Sequence, residues 1–456
     1  MVRWSSDDSS GGTTSRGARA GALGLGQALG RGSLAVAVVV LVRYLQPEAY
    51  GDLAFAIAFV AISAAFADGG FSRLLVRETA RAPGNPVLTV WELLTVRLVP
   101  LTAVTVPVTL VAVAGISGFP RGFALLTVAY LTMEAIAFGF ENAAVGAERP
   151  WRFVVAQSAG ALALLGGLAI LIKADAVTLA SAMALLAGAS LVKVIAHAGL
   201  WDAPHEISML RGRPLRVRRR LAQALPFLAL TAITTVYYRL GVVLLHLLRG
   251  GEETAPYAAA FRVIDAIGVL GAILFAVVAP GFARAHVDSP SEVWALWRSV
   301  VARTALVSIP VAALLAIFAE PIAEILFGSR YAESAGADLR LLAPCAAFIL
   351  LLSATSVVVY MGDDTAGIIR LTGLNLAIIA SLTLLLAQLA GDRGAAVATS
   401  LAEMLSFSGF ALLVWRRYGR AKGPACPNGT APDPNQHLAH AQPEEGHSRE
   451  ARDESR

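Results

Sequence analysis

The sequence predicts an all-α polytopic membrane protein, and three observations lead there. Of 456 residues, 56% are hydrophobic. Only 15% are charged, against about 25% in soluble domains. Most segments are also apolar all round, as befits helices surrounded by hydrocarbon or by other helices.

A membrane span needs about 20 predominantly apolar residues. On that basis about twelve spans follow one another: roughly 19–43, 50–72, 88–116, 121–146, 151–172, 176–199, 221–248, 256–280, 294–318, 337–361, 366–390 and 394–415. Short turns such as SGFPRG, ERP and GDRG separate most of them. Two connections are longer: the basic WDAPHEISMLRGRPLRVRRR (201–220), and AEPIAEILFGSRYAESAG (319–336), which has room for a short interfacial helix. The linker 201–220 divides the chain into an N-lobe (19–200) and a C-lobe (221–416) of six helices each. Residues 1–18 and 417–456 are polar and Ser/Gly- or Pro/Glu-rich, and disordered tails are expected there.

Arginine sets the orientation. Alternate gaps hold Arg73, Arg77 and Arg81, then Arg149 and Arg152, then Arg211 through Arg220, then Arg416, Arg417 and Arg420. The other gaps hold mostly singletons: Arg43, Arg121, Lys173, Arg249 and Arg393. The rich set is expected in the cytoplasm, and both termini with it. The net charge of +5 therefore does not point to nucleic acid, because the basic residues cluster between spans. Lysine is confined to Lys173, Lys193 and Lys422. Cys345 and Cys426 give no disulfide framework, no His/Cys spacing suits a metal, and no cofactor is expected.

Both halves start on the same side, so an internal repeat has to be parallel. Tyr50-Gly51-Asp52-Leu53-Ala54-Phe55-Ala56-Ile57 is echoed at Tyr257-Ala258-Ala259-Ala260-Phe261-Arg262-Val263-Ile264, and Gly70-Phe71-Ser72-Arg73 at Gly281-Phe282-Ala283-Arg284.

Charges inside spans each cost about 2.5–3.5 kcal/mol on insertion scales, so they are expected to face a cavity or a partner. Structural explanations exist for several. Arg97 and Glu141 lie at similar depth and suit a pair; Arg262 and Asp265 are three apart on one helix. His246 is expected at the interface, and Glu92 near the inner surface. Arg31 and Arg239 lie deep in the first span of each half, with no acid at helical spacing. Guanidinium binds phosphate bidentately, so Arg31 and Arg239, with Arg262, are the candidates for holding a diphosphate. Asp68, Glu134, Asp265 and Glu403 are the candidates for ion coupling or gating, and Gly69 and Gly70 for a hinge.

These residues resemble a known family. RYLQPEAYGDLAFAIAFVAISAAFADGGFSRLLVRETAR (43–81) is similar to the first-loop and second-helix pattern of polysaccharide flippases. These are the Wzx-like branch of the multidrug/oligosaccharidyl-lipid/polysaccharide exporter superfamily. The resemblance extends through APYAAAFRVIDAIGVL and APGFARA (255–285), EPIAEILFGSRYAESAGADLRLLAP (320–344) and GDRGAAVATSLAEML (391–405). It implies a V-shaped, two-lobed bundle in the plasma membrane that moves polyprenyl-diphosphate-linked oligosaccharide across it by alternating access. Its partners are then the lipid-linked glycan, the bilayer, and the glycosyltransferases or polymerase of the same pathway. Asp68-Gly69-Gly70 matches the family's acid-glycine step. One departure stands out: many relatives carry an acid after the aromatic pair of the seventh helix, where TTVYYRLGVVLL has Gly241. A drug or cation antiporter of the same superfamily is the nearest alternative, and a membrane glycan polymerase or ligase the alternative of another class.

Overall fold

The computed structural model describes residues 14–81, 95–111, 119–146, 149–200, 217–362 and 365–419. Every element among them is helical, with no strand. The N-terminal half contains α1 (Thr14–Tyr44), α2 (Pro47–Asp68), α3 (Phe71–Arg81), α4 (Thr95–Val111), α5 (Arg121–Gly146), α6 (Pro150–Lys173) and α7 (Leu179–Leu200). The C-terminal half contains α8 (Val217–Arg249), α9 (Gly251–Asp288), α10 (Pro290–Ile317), α11 (Ala319–Phe327), α12 (Ser329–Tyr360) and α13 (Thr365–Val414). Helix α13 is two arms, broken at Ala390 and Gly391 by non-helical backbone, with Gly391 at a φ of 59°.

Ten of these helices are long and apolar enough to cross a membrane, and the tenth is the two-armed α13. Of the expected third span, only the shorter apolar helix Thr95–Val111 is described, with a π-helical turn at Leu101–Thr105. Glu92 lies outside the described residues.

Local chemistry fixes the boundaries. Pro47 opens α2, where its missing N–H costs nothing. Ser289 caps α10 by accepting from the Glu292 N–H, with Pro290 at the first helical position. The expected second span ran to Ser72, but α2 stops at Asp68, because Gly69 and Gly70 take φ of 58° and 81°. The amphipathic α3 then departs as a separate helix. The expected loop 319–336 is mostly α11 and the start of α12. Helix α1 begins at Thr14, inside the expected N-terminal tail, and a π-helical turn (Trp415–Gly419) extends into the expected C-terminal one. The remainder of both tails, and 201–216 of the linker, lie outside the described residues.

Side-chain packing shows how the halves meet. One large apolar cluster spans both: Leu41 of α1, Tyr50 and Phe55 of α2, Tyr257 and Ile264 of α9, Phe327 of α11 and Tyr331 of α12. Toward the arginine-rich end the interior divides. One cluster gathers Phe71, Leu74, Val96, Phe140 and Phe153; another gathers Phe282, Val293, Val357, Phe410 and Tyr418. The interiors of the halves are thus continuous at one end and separate toward the other, giving the two-lobed V, with the start of α8 still crossing to the N-terminal half through Ala224 and an Arg220–Glu78 pair at 3.3 Å. Phe71 and Phe282, the aromatic residues of the second echo, are buried one in each separate cluster. The echo stops short of the backbone: α2 breaks before Phe71, whereas α9 continues through Gly281 with Pro280 inside it.

The joined end is close-packed through glycine. A side chain on Gly51 would collide with the backbone of Gly251, and one on Gly251 with that of Glu48. His246 also packs here, 8% exposed and stacked 4.3 Å from Phe55, so the expectation of an interfacial histidine is corrected. Its ring is flat and apolar enough to fill a gap between Phe55 and Phe119.

Replacing Gly51 by Leu forces α2 and α9 apart. Overpacking of this kind costs about 1–3 kcal/mol, so Gly51→Leu is expected to lower the thermal unfolding midpoint of detergent-purified protein. An unchanged midpoint would show that α2 and α9 are not in backbone contact.

Candidate functional site

Where α8 and α9 run side by side, three of the charged residues singled out in the sequence meet. Arg239 Nη1 lies 2.9 Å from Asp265 Oδ2, and Arg262 Nη1 lies 3.4 Å from the same oxygen. Arg239 was expected to lack an acid because none occurs at helical spacing on α8. The antiparallel neighbour supplies it across 26 residues of sequence. All three side chains remain partly exposed, at 26%, 18% and 27% for Arg239, Arg262 and Asp265. Inward of them, the Arg262 Nε and the Tyr50 hydroxyl are buried without a hydrogen bond of normal geometry. Tyr130 of α5 is within electrostatic range of both arginines.

Arg31 does not join this cluster. It is exposed and makes no ion pair among the described residues. Its place on α1 is informative: along the same face Val38 and Leu41 are buried in the shared core, whereas Arg31, Gln27 and Gly24 are exposed. That face emerges from the core where the halves part.

Asp68, Glu134 and Glu141 of the N-terminal half each lie near a cation. Asp68 is 3% exposed and pairs with Arg97 at 3.1 Å. It also accepts from the Ser72 backbone N–H at 3.3 Å and from the Ser72 hydroxyl. Asp68 therefore caps the free N–H groups at the start of α3 while answering a buried cation. The expected Arg97–Glu141 pair is corrected, since the turn at Gly69 and Gly70 swings Asp68 into reach first. That turn also presses against α8, where a side chain on Gly70 would strike the backbone of Ala224 and Leu228. Glu134 is held by Lys193 at 2.7 Å and by the Ser190 hydroxyl at 2.6 Å. Glu141 lies 3.9 Å from the same lysine. Lys193 was not among the expected site residues, although a lone lysine in the middle of an apolar helix was a visible signal.

Glu403 differs. It sits on the second arm of α13, 2% exposed, with Oε2 unpartnered. Beside it Tyr237 and Ser406 share a hydrogen bond of 3.1 Å. They line a cavity of about 120 Å³ together with Tyr238, Ser356, Tyr360, Thr372 and Asn375. Hydroxyls and an amide make this pocket polar inside an apolar half.

At the joined end, arginines serve helix C-termini, whose last carbonyls lack partners. Arg43 of α1 donates to the Ile325 and Leu326 carbonyls of α11, at 3.0 Å for Leu326. Arg330 of α12 donates to the Leu45 carbonyl, just past α1, at 3.3 Å. Arg249 of α8 donates to the Ala387 and Gln388 carbonyls before the break in α13. The first two are reciprocal: each half caps a helix of the other.

Two outcomes follow. Removing one member of a buried pair leaves an uncompensated charge and costs about 3–5 kcal/mol. Asp68→Ala is therefore expected to destabilise strongly, and Arg97→Leu added to it should recover much of the loss in a double-mutant thermal unfolding cycle. An additive cycle would dissolve the pair. Arg43→Ala with Arg330→Ala should accelerate amide hydrogen exchange at 41–50 and 323–331 while leaving α5 to α7 unchanged; uniform exchange would deny the capping role.

Comparison with known proteins agrees with this geometry. Residues 40–336 match the family described as polysaccharide biosynthesis protein. No curated protein sequence matches the chain significantly. Among solved structures, the chain resembles the lipid II flippase MurJ in an inward closed conformation, with a TM-score of 0.67 at 14% identity over 87% of each chain. It also resembles an inward-facing multidrug resistance MATE family transporter of the MOP superfamily, with a TM-score of 0.65 at 16% identity, covering 87% of this chain and 96% of that one. A third is a MOP superfamily transporter from Pyrococcus furiosus whose binding pocket is described as of reverse polarity, with a TM-score of 0.62 at 15% identity, covering 89% and 96%. At these identities the likenesses establish the fold, which is that of a multi-pass membrane flippase or transporter. With two thirds of its length matching one family and its spans arranged as in such transporters, the chain belongs to the polysaccharide biosynthesis protein family.

Proposed function

We propose that the protein flips polyprenyl-diphosphate-linked oligosaccharide from the cytoplasmic to the outer leaflet of the plasma membrane, for assembly of a surface polysaccharide. The observation that carries this reading is the Arg239–Asp265–Arg262 cluster, polar and partly exposed inside an apolar scaffold. Guanidinium forks suit phosphate oxygens. A sugar head group also needs a polar shelter from hydrocarbon, where each unsatisfied group costs several kcal/mol. Arg31, on the face of α1 that leaves the core, is assigned to the same cleft on the other side. The arginine-rich end, where the halves part, is taken as cytoplasmic, with both termini there. The reciprocal arginine caps at the joined end then form the closed outer gate, which has to release as the halves rock.

Of the four acids expected to couple or gate, three have cationic partners: Asp68 with Arg97, Glu134 with Lys193, and Asp265 with two arginines. Glu403 alone among them keeps an unpartnered oxygen, beside a polar cavity, and is assigned to proton or cation coupling. Asp68, Gly69 and Gly70 are assigned to the joint through which α3 and α8 follow α2. Glycosyltransferases supply the substrate and a polymerase or ligase consumes it on the far side.

The drug or cation antiporter reading draws on the same pocket, since the rings of Tyr237, Tyr238 and Tyr360 in its lining suit an organic cation. Gene deletion separates the two. Lipid-linked oligosaccharide trapped in the cytoplasmic leaflet, with loss of a surface polymer, is expected; unchanged intermediates with increased sensitivity to cationic drugs would overturn the flippase reading. In complementation, Arg239→Ala and Arg262→Ala should each reduce translocation at least about tenfold, equivalent to about 1.4 kcal/mol, at normal membrane abundance. Glu403→Gln should abolish dependence on the ion gradient while leaving substrate binding intact.

A further inference from the structure

An anion-binding site in a membrane faces a competitor that a soluble site does not: the surrounding phospholipids also carry phosphate. The cluster on α8 and α9 contains an answer to that problem. Two guanidiniums bind one carboxylate oxygen, with Arg239 Nη1 at 2.9 Å and Arg262 Nη1 at 3.4 Å from Asp265 Oδ2. On its buried side Arg262 faces the Tyr50 hydroxyl, without a hydrogen bond of normal geometry. The cluster therefore already holds an anion of its own, nearer to Arg239 than to Arg262.

We propose that Asp265 is a specificity-determining residue that admits diphosphate-linked lipids and rejects singly charged phospholipids. This rests on the diphosphate reading of the site given above. With Asp265 in place the cluster carries a net charge of +1: two arginines against one carboxylate. A lipid with a single phosphodiester carries one negative charge. If it displaced Asp265 it would merely exchange one monoanion for another, and leave the aspartate stranded in a membrane interior where an unpaired charge is costly. If it bound beside Asp265 it would meet like charge. A diphosphate bridging lipid and sugar carries two negative charges and can place one phosphate on each guanidinium at once. It gains interactions that Asp265 cannot provide, and only that gain offsets displacement of the carboxylate. The device is exclusion by an internal rival, set by charge number rather than by pocket shape.

The test uses full-length purified protein in neutral detergent and two probes. One is farnesyl diphosphate-linked N-acetylglucosamine, with two charges; the other is phosphatidylglycerol, with one. Affinities are measured for the unaltered protein and for Asp265→Asn, Asp265→Ser and Asp265→Glu. In the unaltered protein the diphosphate probe binds and phosphatidylglycerol competes weakly. In Asp265→Asn and Asp265→Ser the preference for the diphosphate is expected to fall at least about tenfold, because phosphatidylglycerol binds more tightly. Asp265→Glu, which restores the carboxylate, should restore the preference. An unchanged preference in both neutral variants overturns the proposal, as does a loss of affinity for both probes, which would mark Asp265 as structural support for the arginines. Failure of the unaltered protein, and of its Arg239→Ala and Arg262→Ala variants, to distinguish the diphosphate probe from farnesol would instead remove the diphosphate reading itself, and this inference with it.

Discussion

A charge placed in hydrocarbon has no solvent to turn to, and much of this structure follows from how its charges are answered. Arg97 is buried because Asp68 meets it, and Asp68 is available because the chain turns at Gly69 and Gly70 instead of continuing as helix. The same carboxylate starts α3 by taking up its free N–H. Lys193 holds Glu134 and lies near Glu141 in the same half. In the other half, two arginines share Asp265. A rigid half-bundle needs such closed pairs, because open ones would draw in water or drive helices apart.

The pairs differ in how completely they are closed, and that difference separates scaffold from working parts. Asp68 and Arg97 are nearly inaccessible and sit behind an aromatic ring, with the guanidinium 5.7 Å from the centroid of Phe138. The Arg239–Asp265–Arg262 group is open by about a quarter of its surface and lies where the shared core gives way to two separate ones. Glu403 is buried with one oxygen unused. In the function proposed above the three would serve as fixed charges that keep each half intact while it rocks, exchangeable charges at the cleft, and a carboxyl whose occupancy can change.

The joined end obeys the same constraint by another route. Among its polar groups are helix carbonyls, and long arginines reach across to cap them, while glycine lets α2 and α9 touch along their backbones. Such contacts are numerous and individually weak, each worth about 0.3–1 kcal/mol. They suit a gate better than a buried salt bridge does, because weak contacts are lost and remade without a large barrier.

Hydropathy and charge placement alone determined the all-α membrane class, most span positions and the room for a short helix between the ninth and tenth expected spans, because these depend on residues adjacent in sequence; the second span was expected to run on to Ser72, and the structure ended it at Asp68. They also identified which charges were out of place. Partner choice was a different matter. Arg239 had no acid at helical spacing and found Asp265 on the next helix; Arg97 lay level with Glu141 and found Asp68 instead; Lys193, Arg43 and Arg330 were visible but unassigned. Depth in the membrane can be read from a sequence, because it follows from counting residues along a helix. Rotation of one helix against another cannot, because it is set by side chains packing across many elements at once, and only the tertiary structure decided it.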